Sequence, residues 1–188
     1  VVTPGKNESN TANQLGVPNA SVYILRTNNL ADLPAIGTGL PSNNGTACER
    51  CVDQDLGPVL VSAMTDATGN FQLEGNIPVG QQFVLVVKAG KFRRAVQTSL
   101  PVSAACQTTT IPAALPANLT RIPRSMSDGL AVNIPKVAVS TGSIDAMECV
   151  FQKMGIANGE FTRPSGTGRI HLYRANGAWP DTSSARRA

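Results

Sequence analysis

The side chains with the clearest chemical potential in this chain of 188 residues are its four cysteines, Cys48, Cys51, Cys106 and Cys149. An even number of thiols in a chain rich in Thr, Ser, Asn and Gly favours structural disulfides. The sequence alone does not select among the possible pairings. We favour Cys48–Cys51 together with Cys106–Cys149, because the second bridge would tie a proline-rich segment to a predicted helix. Closing that long loop would stabilise the fold by about 4 kcal/mol.

The spacing of Cys48 and Cys51 also suits other chemistry, which their surroundings disfavour. A thioredoxin-like redox pair opens a helix directly after a strand, whereas the residues around this pair are typical of a loop. Covalent c-type haem attachment requires His after the second cysteine, and Val52 occupies that position. A four-thiolate zinc site normally uses two close pairs, and Cys106 and Cys149 are far apart in sequence. We therefore predict no cofactor and no metal, and we keep thiol redox chemistry as an alternative.

The two close cysteines lie in a long loop, residues 28–55, and a loop of this length usually binds a partner or is cross-linked. Four charged side chains make it a possible binding loop: Glu49, Arg50, Asp53 and Asp55. The two aspartates carry the oxygen ligands that calcium prefers, but their spacing does not match an EF-hand. This loop is the place where we expect a function particular to this protein.

His171 is the only histidine, so a Ser/His/Asp triad would have to use it. The chain has no Gly-x-Ser-x-Gly motif, and His171 alternates with Ile170 and Leu172 in a predicted strand, which indicates a surface or edge position. Asp145 and Glu148 share one turn of a predicted helix and form a second candidate acid/base pair. Their place in the positive first turn of that helix offers a simpler, stabilising role. We predict no catalytic residue and a protein that is not an enzyme.

The composition predicts an exported, β-rich protein. Hydrophobic residues make up 41% of the chain and aromatic residues only 4%, so Val, Ile, Leu and Ala must fill the core. Charged residues are sparse at 15%. No apolar run is long enough for a transmembrane helix, and the Val1-Val2 start indicates a processed or trimmed N-terminus. We expect an extracytoplasmic location: secreted, at the cell surface or in the periplasm.

The formal net charge of +4 does not predict a nucleic-acid binder. The basic residues are spread along the chain instead of being clustered with stacking aromatic residues. Weak contact with a polyanion or a glycan stays open. Tyr23 and Trp179 are the obvious side chains for stacking against a sugar.

Alternating apolar residues predict most of the strands. Ala20, Val22 and Ile24 fall on one face of a first strand, and residues 59–65 form a second. Asp66 and Gly69 predict a turn, with residues 71–74 as the strand that completes a hairpin. The apolar run 83–88 is typical of a central strand, and residues 92–98 follow it after a tight turn at 90–91.

The second half of the chain predicts a different organisation. Four prolines between residues 99 and 131 indicate an extended crossing segment. Residues 132–140 predict one strand, at a sheet edge because of Pro135. A helix is predicted over 144–154, capped by Ser143 and ended by Gly155, and residues 169–173 predict a last strand.

Four spaced motifs resemble the carboxypeptidase regulatory-like domain: Gly16-Val17-Pro18-x-Ala20-x-Val22, Thr65-Asp66-x-x-Gly69-x-Phe71, Ile77-Pro78-Val79-Gly80 and Val84 to Gly90. The resemblance covers residues 1–100 and implies a mainly β fold, a Greek-key transthyretin-like (prealbumin-like) β-sandwich. Residues 101–131 would then be the proline-rich crossing segment. Residues 132–188 would be a strand–helix–strand appendage and tail, similar to segments of large bacterial cell-surface or lipoprotein-type proteins. The resemblance implies no catalysis.

The leading hypothesis is a non-enzymatic structural or adhesive module, such as a subunit of a filament-like cell-surface or extracellular assembly. Its partners would be other proteins or copies of itself, joined through strand edges and termini. The alternatives are a glycan- or peptide-binding accessory domain of a larger surface protein and a thiol-redox protein.

Overall fold

The computed structural model describes residues 1–3, 15–36, 56–98, 104–110, 119–129, 131–142 and 147–174. Strands dominate this part of the chain, as the composition predicts. Five of them form an antiparallel sheet in the order β2-β1-β3-β4-β5. Their bounds are Ser21–Leu25 (β1), Val59–Met64 (β2), Phe83–Ala89 (β3), Phe92–Thr98 (β4) and Ala131–Asn133 (β5).

The third strand forms the middle of this sheet and is buried on both faces. Every residue from Phe83 to Val87 is at most 4% exposed. An unbroken apolar run is what a strand needs when both of its faces are covered. The predicted central strand is therefore confirmed, as is the predicted tight turn into β4, where Gly90 adopts φ +56°.

Loops cover both faces of the sheet in the described part of the chain. On one face, Val22, Ile24 and Leu85 pack against Leu119 and Ile122, which belong to the predicted crossing segment. On the other face, Tyr23, Leu25, Val84 and Val86 pack against Leu33, with Leu30 and Leu56 at the side. The mainly β architecture is thus established, while the Greek-key sandwich stays a prediction.

Two predicted strands differ from the structure. Residues 71–74 are not a strand, and β2 pairs with β1 instead. Phe71 and Leu73 pack their side chains against the core, so their alternation reflects burial of a loop and not a ladder. The single strand predicted over 132–140 is two strands in two different sheets, because Pro135 lies in the break between them.

A second, three-stranded sheet has the order β6-β8-β7, with both pairs parallel. Its strands are Val137–Thr141 (β6), Phe161–Thr162 (β7) and Ile170–Arg174 (β8), the last of which confirms the strand predicted over 169–173. One face is buried in a separate core of Ile134, Val139, Ile156, Phe161, Ile170 and Leu172.

The predicted helix is described from Met147 to Lys153 (α1), and its predicted cap, Ser143, lies outside the described residues. Its end is as predicted: Gly155 adopts φ +95°. The Gly155 amide donates to the Gln152 carbonyl at 2.9 Å, and the Ile156 amide donates to the Phe151 carbonyl at 3.1 Å. These two bonds form a Schellman motif, which satisfies the last carbonyl groups of a helix.

Candidate functional site

Among the described residues, the outer edge of β2 has no strand paired with it. The Thr65 amide donates to the Ala20 carbonyl at 2.9 Å, so Thr65 points toward β1. Backbone groups alternate in direction along a strand, so Ala63 also points toward β1, while Ser62 and Met64 point away. Among the described residues β2 pairs only with β1, so the N–H and C=O groups of Ser62 and Met64 face outward.

The side chains of β2 do nothing to protect this edge. Its sequence, Val-Leu-Val-Ser-Ala-Met, contains neither charge nor proline. Ser62 is exposed and Met64 is 59% exposed. Natural sheet edges are usually blunted by charged residues, by proline or by shortness. The opposite edge of the same sheet, β5, has only three residues, whereas β2 has six, so β2 is the longer and less protected edge.

Opposite charges lie at the two ends of β2. At its start, the Arg26 side chain is exposed, and its Nε donates to the Val59 carbonyl at 3.1 Å. At its end, the Asp66 carboxylate is exposed and caps the turn that follows: its Oδ1 accepts from the Thr68 amide at 2.8 Å and the Asn70 amide at 2.9 Å. The hydrogen bond from the Thr68 hydroxyl, with those two amides, holds the pKa of Asp66 below its ordinary value.

The turn itself confirms the sequence prediction. Gly69 adopts φ +82°, where L side chains are strained. A Cβ atom at this position would lie 2.3 Å from the Val1 carbonyl oxygen and 2.8 Å from the Gly16 Cα. The glycine is therefore required twice, by its φ angle and by the close approach of the chain's first residues.

A second candidate surface is the outer face of the small sheet. Strand pairing places Ala138 beside His171 and Ser140 beside Tyr173 on this face. Tyr173 is 44% exposed, and Ala138 and Ser140 are exposed beside it. An exposed aromatic ring with neighbouring hydroxyl groups is suited to stacking and hydrogen bonding with a ligand. The sequence interpretation overlooked Tyr173 and chose Tyr23, which is 1% exposed and belongs to the core.

Of the predicted surface or edge position for His171, the outer face of the small sheet is correct and the edge is not. His171 lies on β8, the central strand of the small sheet, and is half-buried. Its Nε2 is 3.0 Å from the Gly168 carbonyl oxygen, a hydrogen bond that holds the ring against the preceding loop. Of the predicted helical acid pair, Glu148 is half-buried on α1, and Asp145 lies outside the described residues.

The predicted bridge between Cys106 and Cys149 is not formed, since both are free thiols. Cys106 is exposed in a turn with φ +58°, whereas Cys149 is half-buried on α1. The helix does not need this bridge as an anchor, because the end of α1 is held by Phe151 and Ile156 in the core of the second sheet. The remaining predicted site residues lie outside the described residues: Cys48, Cys51, Glu49, Arg50, Asp53, Asp55 and Trp179.

Within the described ranges, no group of three or more His, Cys, Asp or Glu side chains is placed to hold a metal ion. The same ranges contain no helix long and apolar enough to span a bilayer. Comparison of the chain with protein-family models, with curated proteins and with solved structures finds no match.

Proposed function

We propose that this protein is a non-enzymatic structural or adhesive module that works outside the cytoplasm and joins protein partners, or copies of itself, through a strand edge. The observation that carries the proposal is the open edge of β2, with the outward backbone groups of Ser62 and Met64. An exposed and uncharged edge is a template for one more strand, and main-chain hydrogen bonds supply much of the affinity in this mode. A filament-like assembly would form where this edge contacts a different surface of the next copy, whereas pairing of two such edges would form a closed dimer.

The composition and the motifs support the wider setting of this proposal. Sparse charge and an even number of cysteines favour an extracytoplasmic location. The motifs around Asp66 and Gly69 favour a carboxypeptidase regulatory-like Greek-key sandwich over residues 1–100, of the kind that accompanies cell-surface and lipoprotein-type proteins. Residues 101–131 and 132–188 would be the crossing segment and the appendage.

The test is the assembly state of Ser62→Pro against Ser62→Ala. Proline at position 62 removes an outward N–H and leaves the bonds from Ala63 and Thr65 to β1 intact. Alanine keeps that N–H and changes only an exposed hydroxyl. Light scattering over a concentration series, with electron microscopy, should show assembly for the parent chain and Ser62→Ala and its loss for Ser62→Pro.

A monomeric parent chain at high concentration would overturn the proposal, as would unchanged assembly of Ser62→Pro. Circular dichroism shows whether Ser62→Pro folds. If it does not, Ser62→Lys takes its place, since it keeps every internal hydrogen bond and adds a charge to the edge.

The second candidate function is a glycan- or peptide-binding accessory domain, favoured by the exposed ring of Tyr173 beside Ser140. Binding to a glycan array or a peptide library should weaken in Tyr173→Ala and persist in Tyr173→Phe, which retains the ring for stacking. Equal binding by both variants, or no binding at millimolar ligand, would reject it.

A further inference from the structure

We infer that β2 pairs antiparallel with β2 of a second copy of this chain, about a two-fold axis that passes beside Ala63. The inference rests on the proposed assembly function and specifies its partner, its direction and its register. A two-fold arrangement uses the same patch on both copies and closes on itself as a dimer. The two five-stranded sheets would then form one continuous sheet across the interface.

The backbone selects the register. With the axis beside Ala63, Ser62 of one copy lies opposite Met64 of the other, and each pair exchanges N–H and C=O bonds. Every outward backbone group of Ser62 and Met64 is then satisfied. A shift by one residue, which places the axis at Ser62, sets Met64 opposite Leu60. Leu60 lies at a register shift between β1 and β2 and lacks the regular outward geometry, so fewer bonds form.

The side chains of β2 are compatible with this register. At the axis the two copies of Ala63 face one another as a pair without mutual hydrogen bonds, with Cα atoms about 4.5 Å apart. A methyl group fits at that distance. On the other face of the sheet, Met64 gains Ser62 of the second copy as its neighbour, and this covers a side chain that is 59% exposed in the single copy.

The opposite charges at the two ends of β2 favour pairing with an antiparallel second copy. The register sets Asp66 of the second copy opposite Leu60, one residue from Val59, whose carbonyl holds the Arg26 side chain. Each Arg26 therefore meets an Asp66 of the other copy, and the two-fold axis repeats this pair at the other end. A parallel arrangement would set like charges together. Within one copy, the two residues lie at opposite ends of a six-residue strand, about 20 Å apart, so they cannot pair internally.

The register is tested by disulfide trapping in the full chain. Ala63→Cys brings position 63 into direct contact with itself across the axis, at a Cα separation that a disulfide accepts. Val61→Cys is the matched control, because it lies on the same face of the same strand but faces position 65 of the second copy. After mild oxidation, mass spectrometry should detect the peptide that joins two copies of position 63 and no corresponding peptide for position 61. This readout separates the new bridge from links that involve the native cysteines.

The orientation is tested by reversing a charge. Arg26→Glu sets Glu beside Asp66 of the second copy and should weaken association about tenfold at low salt, with a smaller effect at high salt. Lys136→Glu makes the same change of net charge at an exposed position outside the interface and should leave association unchanged.

The outcomes separate the two proposals. Assembly that is lost in Ser62→Pro but gives no link at position 63, or equal links at positions 61 and 63, would overturn the self-pairing inference and leave an edge that binds another protein. Equal effects of Arg26→Glu and Lys136→Glu would overturn it as well. A parent chain that stays monomeric would overturn the assembly function itself.

Discussion

The guanidinium group of Arg121 lies 2.7 Å from a carboxylate oxygen of Asp128, although the Arg121 side chain is only 2% exposed. The same carboxylate oxygen accepts the backbone amides of Arg124 at 2.6 Å and Ser125 at 3.3 Å. A buried guanidinium without its counterion would cost several kcal/mol. Asp128 therefore neutralises Arg121 and at the same time fixes the turn that follows it.

This turn connects the two sheets. On the side of the first sheet, Ile122, the residue after Arg121, packs in the core of that sheet. On the side of the second sheet, the Glu160 carboxylate, just before β7, accepts the Ser125 hydroxyl at 2.9 Å and the Met126 amide at 2.7 Å. The carboxylates of Asp128 and Glu160 thus hold one loop between the two cores.

Asp128→Asn is expected to lower the free energy of unfolding by about 3 kcal/mol at neutral pH, because it leaves the buried Arg121 charge without a counterion. Asp32→Asn is the control, since Asp32 is exposed, and it should change the free energy by less than about 0.5 kcal/mol. Urea denaturation followed by circular dichroism measures both. Equal effects of the two substitutions would show that the pair carries no net stability.

The difference in stability between the parent chain and Asp128→Asn should depend on pH. Burial works to raise the pKa of Asp128, but the bond from Arg121, the two amides and the charge of Arg121 outweigh it and hold the pKa below its ordinary value. A lowered pKa in the folded state means that this stability is present above about pH 4 and is lost as the pH falls through the folded pKa. The difference between the parent chain and Asp128→Asn should therefore narrow in denaturation series below pH 4. A constant difference would contradict the assignment.

Features with local causes could be predicted from the sequence. The turn at Asp66 and Gly69 depends on the φ angle of a glycine. The buried strand around Leu85 depends on an apolar run, and the end of α1 depends on the glycine at position 155. Each of these is visible within a few residues. The structure agrees with the sequence at each of these positions.

Features that depend on distant partners could not be predicted. Residues 71–74 alternate like a strand, but only the fold shows that this alternation comes from a loop whose Phe71 and Leu73 side chains pack against the core. Glu160 looks like an ordinary surface charge in the sequence, and its partners, Ser125 and Met126, lie in another segment. The open edge of β2 could not be predicted either, because the sequence of a strand does not show which strands lie beside it.

The hydroxyl group of Thr65 makes a predictable contribution to the free energy of unfolding. The Thr65 Oγ1 donates to the Val17 carbonyl at 2.6 Å and accepts the Ala20 amide at 2.8 Å, and the residue is 3% exposed. Thr65→Val keeps the shape of the side chain but leaves the Ala20 amide and the Val17 carbonyl without this hydrogen-bond partner. We therefore expect a loss of about 2 kcal/mol in the free energy of unfolding.

The matched control for that substitution is Thr27→Val. The Thr27 Oγ1 is buried and makes no hydrogen bond to any described residue, so replacing it with a methyl group should be neutral or stabilising. Denaturation curves of both variants, collected together, give the comparison. A loss at Thr27 as large as at Thr65 would mean that shape, not hydrogen bonding, decides the effect.

Gly155→Ala tests how α1 is held. Gly155 adopts φ +95°, and its amide and that of Ile156 close the helix onto Gln152 and Phe151. A Cβ atom in this conformation costs about 1–2 kcal/mol, and we expect that loss in the free energy of unfolding. Gly159→Ala is the control, because no atom lies within 4 Å of a Cβ atom built there. Hydrogen exchange should also show faster opening of the α1 amides in Gly155→Ala alone. If both variants were equally stable, the Schellman motif would not be what fixes the helix against the second core.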